Sequence, residues 1–232
     1  MKTMQDNIEI TDIEPEKHPE FCFKLVMVGN SGVGKTSLVQ YEIQNTFKNE
    51  NESTIIFNHL YKNYSIFDKI VRLQIWDLCG QEAYYSSIKN FYHSSLCNIV
   101  VFSVDDLESF NLVNRWIEDI KNNHNSDDYI IVLIGNKTDL EKERIVSKEL
   151  IEEFCKDNQI ENYYEASAKT GENVHEIFKD LVRKLYIKFI QITDNFNEVE
   201  KEKEIKKNFS LMNNDLLCCE NKNDYFNSCN IQ

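Results

Sequence analysis

An eight-residue loop at positions 29–36 constrains the fold of this chain more than any other stretch. It reads Gly-Asn-Ser-Gly-Val-Gly-Lys-Thr, follows the apolar run 21–28, which has the character of a buried strand, and precedes a helix-like segment. The spacing G-x-x-x-x-G-K-[ST] between a strand and a helix is typical of a phosphate-binding loop. Glycines let backbone N–H groups turn toward a row of phosphates, and the helix adds its positive end. This glycine loop therefore predicts a nucleoside triphosphate site in an α/β domain.

Two side chains of the glycine loop have predicted roles. Lys35 neutralises the outer phosphates, and the Thr36 hydroxyl binds a Mg²⁺ ion that bridges them. An ordinary glycine turn is the alternative, and the lysine, the threonine and the preceding strand argue against it. The residues that we expect to contact the phosphates are Ser31, Gly32, Val33, Gly34, Lys35, Thr36 and Ser37.

The charge and composition exclude several classes of protein. The net charge is −13, from 26 basic and 39 acidic residues, which argues against nucleic acid as a partner. Hydrophobic residues make up 41% of the chain, as in soluble globular proteins, and the apolar run around 99–102 is too short to cross a bilayer. The polar opening at 1–20 lacks the pattern of a secretory leader. The seven cysteines have no metal-ligand spacing, so we expect reduced thiols.

Apolar runs and helical patterns alternate along the chain. Six strands are predicted, at 21–28, 60–67, 70–76, 98–104, 129–134 and 162–165, and helices at 36–45, 84–94, 109–122, 148–156 and from 173, with Ser109 and Ser147 as N-caps. The short link Asp68-Lys69 favours an antiparallel hairpin. We therefore expect a mostly parallel six-stranded sheet with one antiparallel edge strand and helices on both faces. The predicted organisation is a disordered polar extension at 1–20, one domain at 21–190 and a solvated tail at 191–232.

The polar segment after the strand at 129–134 indicates which base is bound. An aspartate at position 139 accepts hydrogen bonds from both the ring N–H and the amino group of guanine, an arrangement that adenine does not offer. The loop 167–169 fits beside it and offers a backbone N–H to the guanine carbonyl oxygen. A polar turn after a strand is the alternative. The residues expected around the base are Asn136, Lys137, Asp139, Ser167, Ala168 and Lys169.

From about 21 to 190 the chain resembles a small GTPase of the Ras superfamily, most of all its Rab branch. Five motifs match in order and at family spacing: the glycine loop, Thr54, the stretch 77–81, the stretch 136–139 and the loop 167–169. The resemblance implies a P-loop GTPase domain that binds GTP or GDP with Mg²⁺ and hydrolyses GTP slowly. The sequence Arg-Leu-Gln-Ile-Trp-Asp at 72–77 and the lack of an insertion between Asp139 and Ser167 favour the Rab branch.

The resemblance also implies roles for single residues. Phe47 would pack against the guanine, and Thr54 would bind Mg²⁺ and sense the γ-phosphate. By the same resemblance, Asp77 holds the metal through a water, Gly80 donates its N–H to the γ-phosphate, and Gln81 orients the attacking water. Because no arginine within the motifs is placed to assist, an activating protein is expected to supply one.

Departures from the Rab pattern cluster where partners bind in this family. Leu78 and Cys79 replace the usual Thr-Ala, and Ala83 replaces an arginine. The expected effector surface, part of which matches the aromatic triad of Rabs, consists of Ile56, His59, Trp76 and Phe91. An exposed Trp76 would be a binding hot spot, and packing under the family's second switch, the segment that Gly80 anchors, is the alternative.

The last four residues, Cys-Asn-Ile-Gln, have the form of a prenylation signal. Cys229 is the acceptor in this C-a-a-X ending, and the final Gln favours a farnesyl group, whereas Rabs more often carry geranylgeranyl groups. One prenyl chain anchors only marginally, so a second signal is needed. Cys218 and Cys219 are candidate palmitoylation sites. Free thiols in a disordered tail are the alternative.

Together these features predict a monomeric Rab-like GTPase that acts as a membrane-anchored switch in vesicle traffic. Its expected location is the cytoplasmic face of an intracellular membrane, with cycling through the cytosol. The resemblance implies four kinds of partner: a guanine nucleotide exchange factor, a GTPase-activating protein, effectors and a prenyl-handling chaperone. The alternatives are a Ras-like signalling GTPase, a hydrolysis-poor GTP-bound scaffold, and an adenylate-type kinase without a preference for guanine.

Overall fold

A computed structural model describes residues 9–13, 18–48, 54, 57–80 and 89–193. The chain divides into two compact units, Met1–Tyr186 and Ile187–Gln232, and the β-sheet belongs to the first. In the second unit, residues 187–193 are helical, and the Thr193 hydroxyl donates to the Phe189 carbonyl oxygen at 2.8 Å. Within the described parts of the chain, none of the helices combines the length and the apolar character that a membrane span requires.

A mixed sheet forms the centre of the first unit. Its spatial order is β1-β3-β4-β2-β5-β6-β7, in which β2, β4, β5, β6 and β7 run parallel, β3 is antiparallel to β4, and β1 is antiparallel to β3. The strands are β1 (Ile10–Ile13), β2 (Phe21–Val28), β3 (Phe57–Ile66), β4 (Lys69–Leu78), β5 (Cys97–Ser103), β6 (Ile130–Asn136) and β7 (Asn162–Glu165). The predicted α/β class with a mostly parallel sheet is confirmed.

The number of strands differs from the prediction. The described residues form seven strands where six were expected, because Ile10–Ile13 forms β1 inside the segment predicted to be a disordered extension. In this strand Ile10 lies opposite Ile66 and is only 7% exposed. The segment 1–20 is polar overall, so four residues that gain their pairing from a distant strand give no signal of their own. β3 is therefore not the edge strand that the sequence predicted.

The hairpin between β3 and β4 is antiparallel, as expected, but its strands are longer and its turn lies one residue earlier. The two turn residues are Phe67 and Asp68, with φ of 49° and 59°. Two successive positive φ values match the twist of the flanking strands and close a two-residue hairpin. The hairpin thus extends from residue 57 to residue 78.

Among the described residues, five helices and two 3₁₀ turns accompany the sheet. The helices are α1 (Lys35–Gln44), α2 (Leu107–Asn111), α3 (Val113–Asn123), α4 (Lys148–Asp157) and α5 (174–193), and the 3₁₀ turns are Lys89–Tyr92 and Thr138–Glu143. Of the helix predicted at 84–94, residues 89–92 form the first 3₁₀ turn, and 81–88 lie outside the described residues.

One of the two predicted helix caps is wrong. Asp106, not Ser109, caps α2, because its carboxylate accepts from the N–H groups of Glu108 and Ser109. The Ser109 hydroxyl lies inside the helix, where it donates to the Asp106 carbonyl oxygen at 2.7 Å. The prediction for Ser147 is confirmed, since its hydroxyl accepts from the Leu150 N–H at 3.2 Å at the start of α4.

The core of the first unit lies on both faces of the central strands. Every residue of β5 is buried, as continuous apolar strands of parallel sheets usually are. One hydrophobic cluster joins Trp116 and Ile120 of α3 to Phe102 and Leu133 of the sheet. The buried side chains of α1 and α5 include Leu38, Val39, Val174, Ile177, Phe178, Leu181 and Leu185.

The parallel strands bring their carboxyl ends to one edge of the sheet. β2 ends at Val28, just before the glycine loop, β4 ends at Leu78, and β6 ends at Asn136. Ligands in sheets of this kind bind at that edge. The glycine loop, the described part of the stretch 77–81 and the stretch 136–139 therefore meet in one place.

Candidate functional site

A cavity of about 430 Å³ opens at the carboxyl edge of the sheet. Nearly all the described residues that we expected to contact a nucleotide line it, and the two exceptions, Val33 and Ser167, are buried. The lining residues are Ser31, Gly32, Gly34, Lys35, Thr36, Ser37, Phe47, Lys48, Thr54, Leu78, Cys79, Gly80, Asn136, Lys137, Asp139, Leu140, Ala168 and Lys169. The fold thus brings together residues from six segments that are separate in sequence.

The glycine loop wraps the end of the Lys35 side chain. The Lys35 ammonium donates to the carbonyl oxygens of Gly29 at 2.8 Å and Asn30 at 2.9 Å. Burial lowers the pKa of Lys35 to about 8, although the nearby groups of Asp77 and Cys79 act in the opposite direction. An amine held this way is preorganised for phosphate oxygens, because its charge is poorly solvated without them.

Glycine at position 80 lets the second motif approach the glycine loop. A Cβ atom there would lie 2.4 Å from the Asn30 carbonyl carbon and 2.5 Å from the Ser31 nitrogen. Any side chain at this position would therefore push the two backbones apart. The contact places the Gly80 backbone at the phosphate end of the cavity.

Three oxygen-bearing side chains converge at the same end. The Thr36 hydroxyl donates to Asp77 Oδ2 at 2.5 Å and lies 3.0 Å from the Thr54 hydroxyl oxygen. The other oxygen, Asp77 Oδ1, is buried without a hydrogen-bond partner among the described residues. Burial raises the pKa of Asp77. Mg²⁺ prefers hard oxygen ligands, and one oxygen of this buried carboxylate has no hydrogen-bond partner among the described residues, so these residues fit the expected ion.

The opposite end of the cavity has the character of a base site. Asp139 Oδ1 accepts from the Ser167 hydroxyl at 2.6 Å, and Asp139 Oδ2 lies 3.5 Å from the Lys169 ammonium. Lys137 has a positive φ of 68° and its ammonium lies 3.6 Å from Asp105 Oδ1. These contacts hold a carboxylate and the loop 167–169 side by side, as recognition of guanine requires.

Some residues of the site were not among the predicted contacts. Lys48 and Leu140 line the cavity next to Phe47 and Asp139, and adjacency in sequence was the only signal that pointed to them. Leu78 and Cys79 also line it, and the sequence marked them only as departures from the Rab pattern. Trp116 Nε1 of α3 donates to Asn30 Oδ1 of the glycine loop at 3.2 Å, a contact for which the sequence gives no signal.

Aromatic side chains cluster beside the site on the hairpin and the first 3₁₀ turn. The ring centroids of Trp76 and His59 lie 4.3 Å apart, and those of Trp76 and Phe91 lie 5.2 Å apart. Trp76 is half-buried and packs against the core, while His59 is exposed. The structure therefore gives Trp76 a packing role and leaves part of its surface accessible. Five predicted functional residues lie outside the described residues: Ile56, Gln81, Cys218, Cys219 and Cys229.

Comparison with known proteins agrees with this geometry. The model of the Ras family matches residues 24–187, which is most of the chain. The chain belongs to the Ras family. This Ras-family protein is also 35% identical over 205 residues to the GTP-binding protein YPT1 of Saccharomyces cerevisiae, an alignment that covers 86% of this chain and 98% of the relative.

Membership of the family decides the class of reaction. The protein is a Rab-like small GTPase with the P-loop GTPase fold, an enzyme that converts GTP to GDP and phosphate. The alternative of an adenylate-type kinase is thereby excluded.

Proposed function

We propose that this GTPase is a membrane-anchored switch in vesicle traffic. One observation carries the switch in this proposal: the Thr36 hydroxyl lies within hydrogen-bond distance of both Thr54 and Asp77. The glycine loop therefore contacts the two segments that change conformation when a GTPase loses its γ-phosphate. A site built this way links the state of the nucleotide to the surface around it.

In this proposal Thr36 and Thr54 would hold Mg²⁺ directly, and Asp77 would hold it through a water. The ion neutralises charge on the β- and γ-phosphates when it is bound. Lys35 binds the same phosphates, and Ser31, Gly32, Val33, Gly34 and Ser37 surround them. Phe47 packs on the guanine, while Asn136, Lys137, Asp139, Ser167, Ala168 and Lys169 recognise it.

Hydrolysis proceeds by in-line attack of water on the γ-phosphate. Gln81 orients the water, and the Gly80 N–H and Lys35 stabilise the charge that develops on the phosphate oxygens. The intrinsic rate is slow, and a GTPase-activating protein raises it by supplying an arginine, an effect of roughly 10³–10⁵ in rate.

Loss of the γ-phosphate then releases Thr54 and Gly80, and the surface beside them relaxes. That surface contains Ile56, His59, Trp76 and Phe91. Effectors bind the GTP form there, an exchange factor reloads the nucleotide, and a chaperone carries the prenylated protein between membranes. The clustering of His59 and Phe91 around Trp76, the residue before Asp77, supports this assignment.

A single-turnover measurement of GTP hydrolysis tests the switch. We expect the wild-type protein to hydrolyse GTP slowly and the Gln81→Leu variant to be slower still. Substitution of Lys179, which lies on α5 outside the cavity, by Ala serves as the control and should leave the rate unchanged. Equal, very low rates for wild type and Gln81→Leu would overturn the switch.

The second candidate is a GTP-bound scaffold that scarcely hydrolyses the nucleotide. Leu78 and Cys79 favour it, because both line the cavity next to Gly80. The substitution Leu78→Thr together with Cys79→Ala separates the two candidates. A large gain in hydrolysis on restoring the family residues supports the scaffold, and an unchanged rate supports the switch.

Membrane anchoring is tested separately at the tail. We expect Cys229→Ser to move the tagged protein from membranes to the cytosol, because the prenyl acceptor is lost. Replacing both Cys218 and Cys219 by Ser should weaken the association without removing prenylation. Unchanged membrane association of Cys229→Ser contradicts the proposed anchor.

A further inference from the structure

The inner side of α1 carries a carboxylate among apolar residues. Glu42 has no exposed surface, and Leu38 and Val39 of the same helix are buried as well. A carboxylate in such a place is costly unless donors surround it. Nothing in the nucleotide site explains this glutamate, since it does not line the cavity.

Three donors surround the Glu42 carboxylate. Its Oε1 accepts from the Lys62 ammonium at 2.6 Å and from the Tyr64 hydroxyl at 2.6 Å, and its Oε2 lies 2.6 Å from His175 Nδ1. Burial and the charge of Glu42 raise the pKa of Tyr64, so that the hydroxyl remains a donor. Lys62 also lies 2.9 Å from Asp12 Oδ2 of β1. Strands β1 and β3 therefore fix this carboxylate from one side, and α5 meets it from the other.

His175 connects the Glu42 carboxylate to the end of α1. Its second ring nitrogen, Nε2, lies 2.6 Å from Asn45 Oδ1. Asn45 ends the helix in the left-handed conformation, with φ of 53°, and its N–H donates to the Tyr41 carbonyl oxygen at 2.8 Å. Phe47, which lines the cavity, follows two residues later. The direction in which the chain leaves α1 thus depends on a side chain that the histidine holds.

The same imidazole also contacts the loop on the base side through Tyr41. The ring centroids of His175 and Tyr41 lie 5.6 Å apart. The Tyr41 hydroxyl packs so closely on Gly171 that a Cβ atom there would lie 2.0 Å from it. The Gly171 N–H donates to the Ser167 carbonyl oxygen at 2.8 Å, and the Ser167 hydroxyl bonds to Asp139. His175 therefore contacts the end of α1 directly, and Tyr41 connects it to the loop at 167–171 beside the base end of the cavity.

We propose that His175 is a positioning residue for guanine-nucleotide binding: Glu42 fixes the imidazole, and the imidazole fixes Asn45 and hence Phe47. The inference rests on the proposed placement of the guanine beside Phe47. His175 lies outside all five nucleotide motifs, so no motif assigns it this role. Its action is to slow the release of the nucleotide by keeping the base end of the cavity closed.

Release of a fluorescent GDP analogue from the full chain tests this role. We expect His175→Ala to accelerate release about tenfold, because a hydrogen bond to a charged group and its continuation to Asn45 are both lost. An asparagine at 175 reaches the position of Nδ1 and keeps the Glu42 contact, whereas a glutamine reaches the position of Nε2 and keeps the Asn45 contact. Each should give an increase smaller than that of alanine. Release from His175→Ala at the wild-type rate overturns the inference.

His124 offers a matched control. It is half-buried like His175, and both of its ring nitrogens are bonded, Nδ1 to the Ser126 carbonyl oxygen at 2.6 Å and Nε2 to that of Ser95 at 2.9 Å. It caps the end of α3 and does not line the cavity. We expect His124→Ala to lower the melting temperature without changing release. Equal acceleration in both alanine variants means loss of general stability and overturns the inference.

A double-mutant cycle with Phe47→Ala identifies the path of the effect. If His175 acts through Phe47, the change at 175 has a smaller effect in the Phe47→Ala background than in wild type, whereas strictly additive effects contradict the path. If the single variant Phe47→Ala releases the nucleotide at the wild-type rate, the proposed placement of the base beside Phe47 is contradicted, and the inference about His175 is contradicted with it. If Phe47→Ala accelerates release but the variants at position 175 do not, the inference about His175 is overturned and the placement of the base beside Phe47 stands.

Discussion

The Asn136 side chain donates a hydrogen bond to the Val33 carbonyl oxygen at 2.8 Å, although 103 residues separate the two in sequence. The other end of the same amide accepts from the Ala168 N–H at 3.1 Å. Asn136 is only 1% exposed, so water does not compete for these bonds. A single amide thus joins the glycine loop, at the phosphate end of the cavity, to the loop at its base end.

We expect Asn136→Ala to accelerate nucleotide release and to destabilise the fold. The change leaves the Val33 carbonyl and the Ala168 N–H without partners, and each such loss costs about 1–3 kcal/mol. Urea unfolding gives the free energy, and a fluorescent GDP analogue gives the release rate. Asn114→Ala is the control, because among the described residues the exposed Asn114 amide bonds to the exposed Glu118 side chain at 2.9 Å and to no buried group. Identical effects of the two variants on stability and release would contradict the role of Asn136 in joining the two loops.

The three oxygen-bearing side chains at the phosphate end of the cavity, Thr36, Thr54 and Asp77, give a second prediction. Thr36→Val has the same shape as threonine but lacks the hydroxyl that meets Asp77 and Thr54, whereas Thr36→Ser keeps it. In wild type and Thr36→Ser, removal of Mg²⁺ with EDTA should accelerate GDP release. In Thr36→Val release should be fast already, at least about tenfold faster than wild type with Mg²⁺, and insensitive to EDTA. A full EDTA response in Thr36→Val argues against the proposed ligand.

Nucleotide binding should depend on pH through Lys35. Its pKa is lowered to about 8 by burial, and phosphate oxygens favour its charged form. Below that value the ammonium is already present, so binding takes up no proton there. Above it, binding must protonate the amine, and affinity falls as the pH rises. Calorimetry at about pH 7 and about pH 9, in buffers of different ionisation enthalpy, measures the uptake.

Lys35→Arg controls for the other titrating groups. Arginine stays protonated across this range, so the variant should lose the proton uptake near pH 9 while keeping a positive charge at the site. The same uptake in wild type and Lys35→Arg would assign the proton to another group.

The sequence was most informative where local chemistry and spacing act together. The glycine loop, Asp139 and the loop 167–169 each contain their own signal, because binding phosphate or guanine demands particular residue types at particular spacings. The parallel order of the strands follows from their alternation with helices, and this places every motif at one edge of the sheet. These signals can be recognised in the sequence without knowing which distant residues contact each other in the fold.

What the sequence did not indicate depends on contacts between distant residues. In the sequence Glu42 looks like an ordinary solvent-exposed helix residue. Only the fold shows that Lys62, Tyr64 and His175 bond to its carboxylate. Asp106 replaces Ser109 as a cap because the helix begins two residues earlier than its apolar pattern. Strand β1 is the clearest case, since its pairing partner lies more than fifty residues away.

Strand β1 supplies the last prediction, which concerns stability. Ile10 is 7% exposed and lies opposite Ile66, whereas its neighbour Thr11 is exposed. Ile10→Asp removes a buried side chain and places a carboxylate against the core, so we expect a loss of about 2–3 kcal/mol in the free energy of unfolding. Thr11→Asp adds the same charge on the outer face and should change it by less than about 0.5 kcal/mol. Urea unfolding of both variants with saturating GDP measures the difference. Equal stabilities of the two variants would mean that β1 is not part of the folded core. The expected difference would mean that the fold of this chain requires β1, a strand that lies before the residues matching the Ras family.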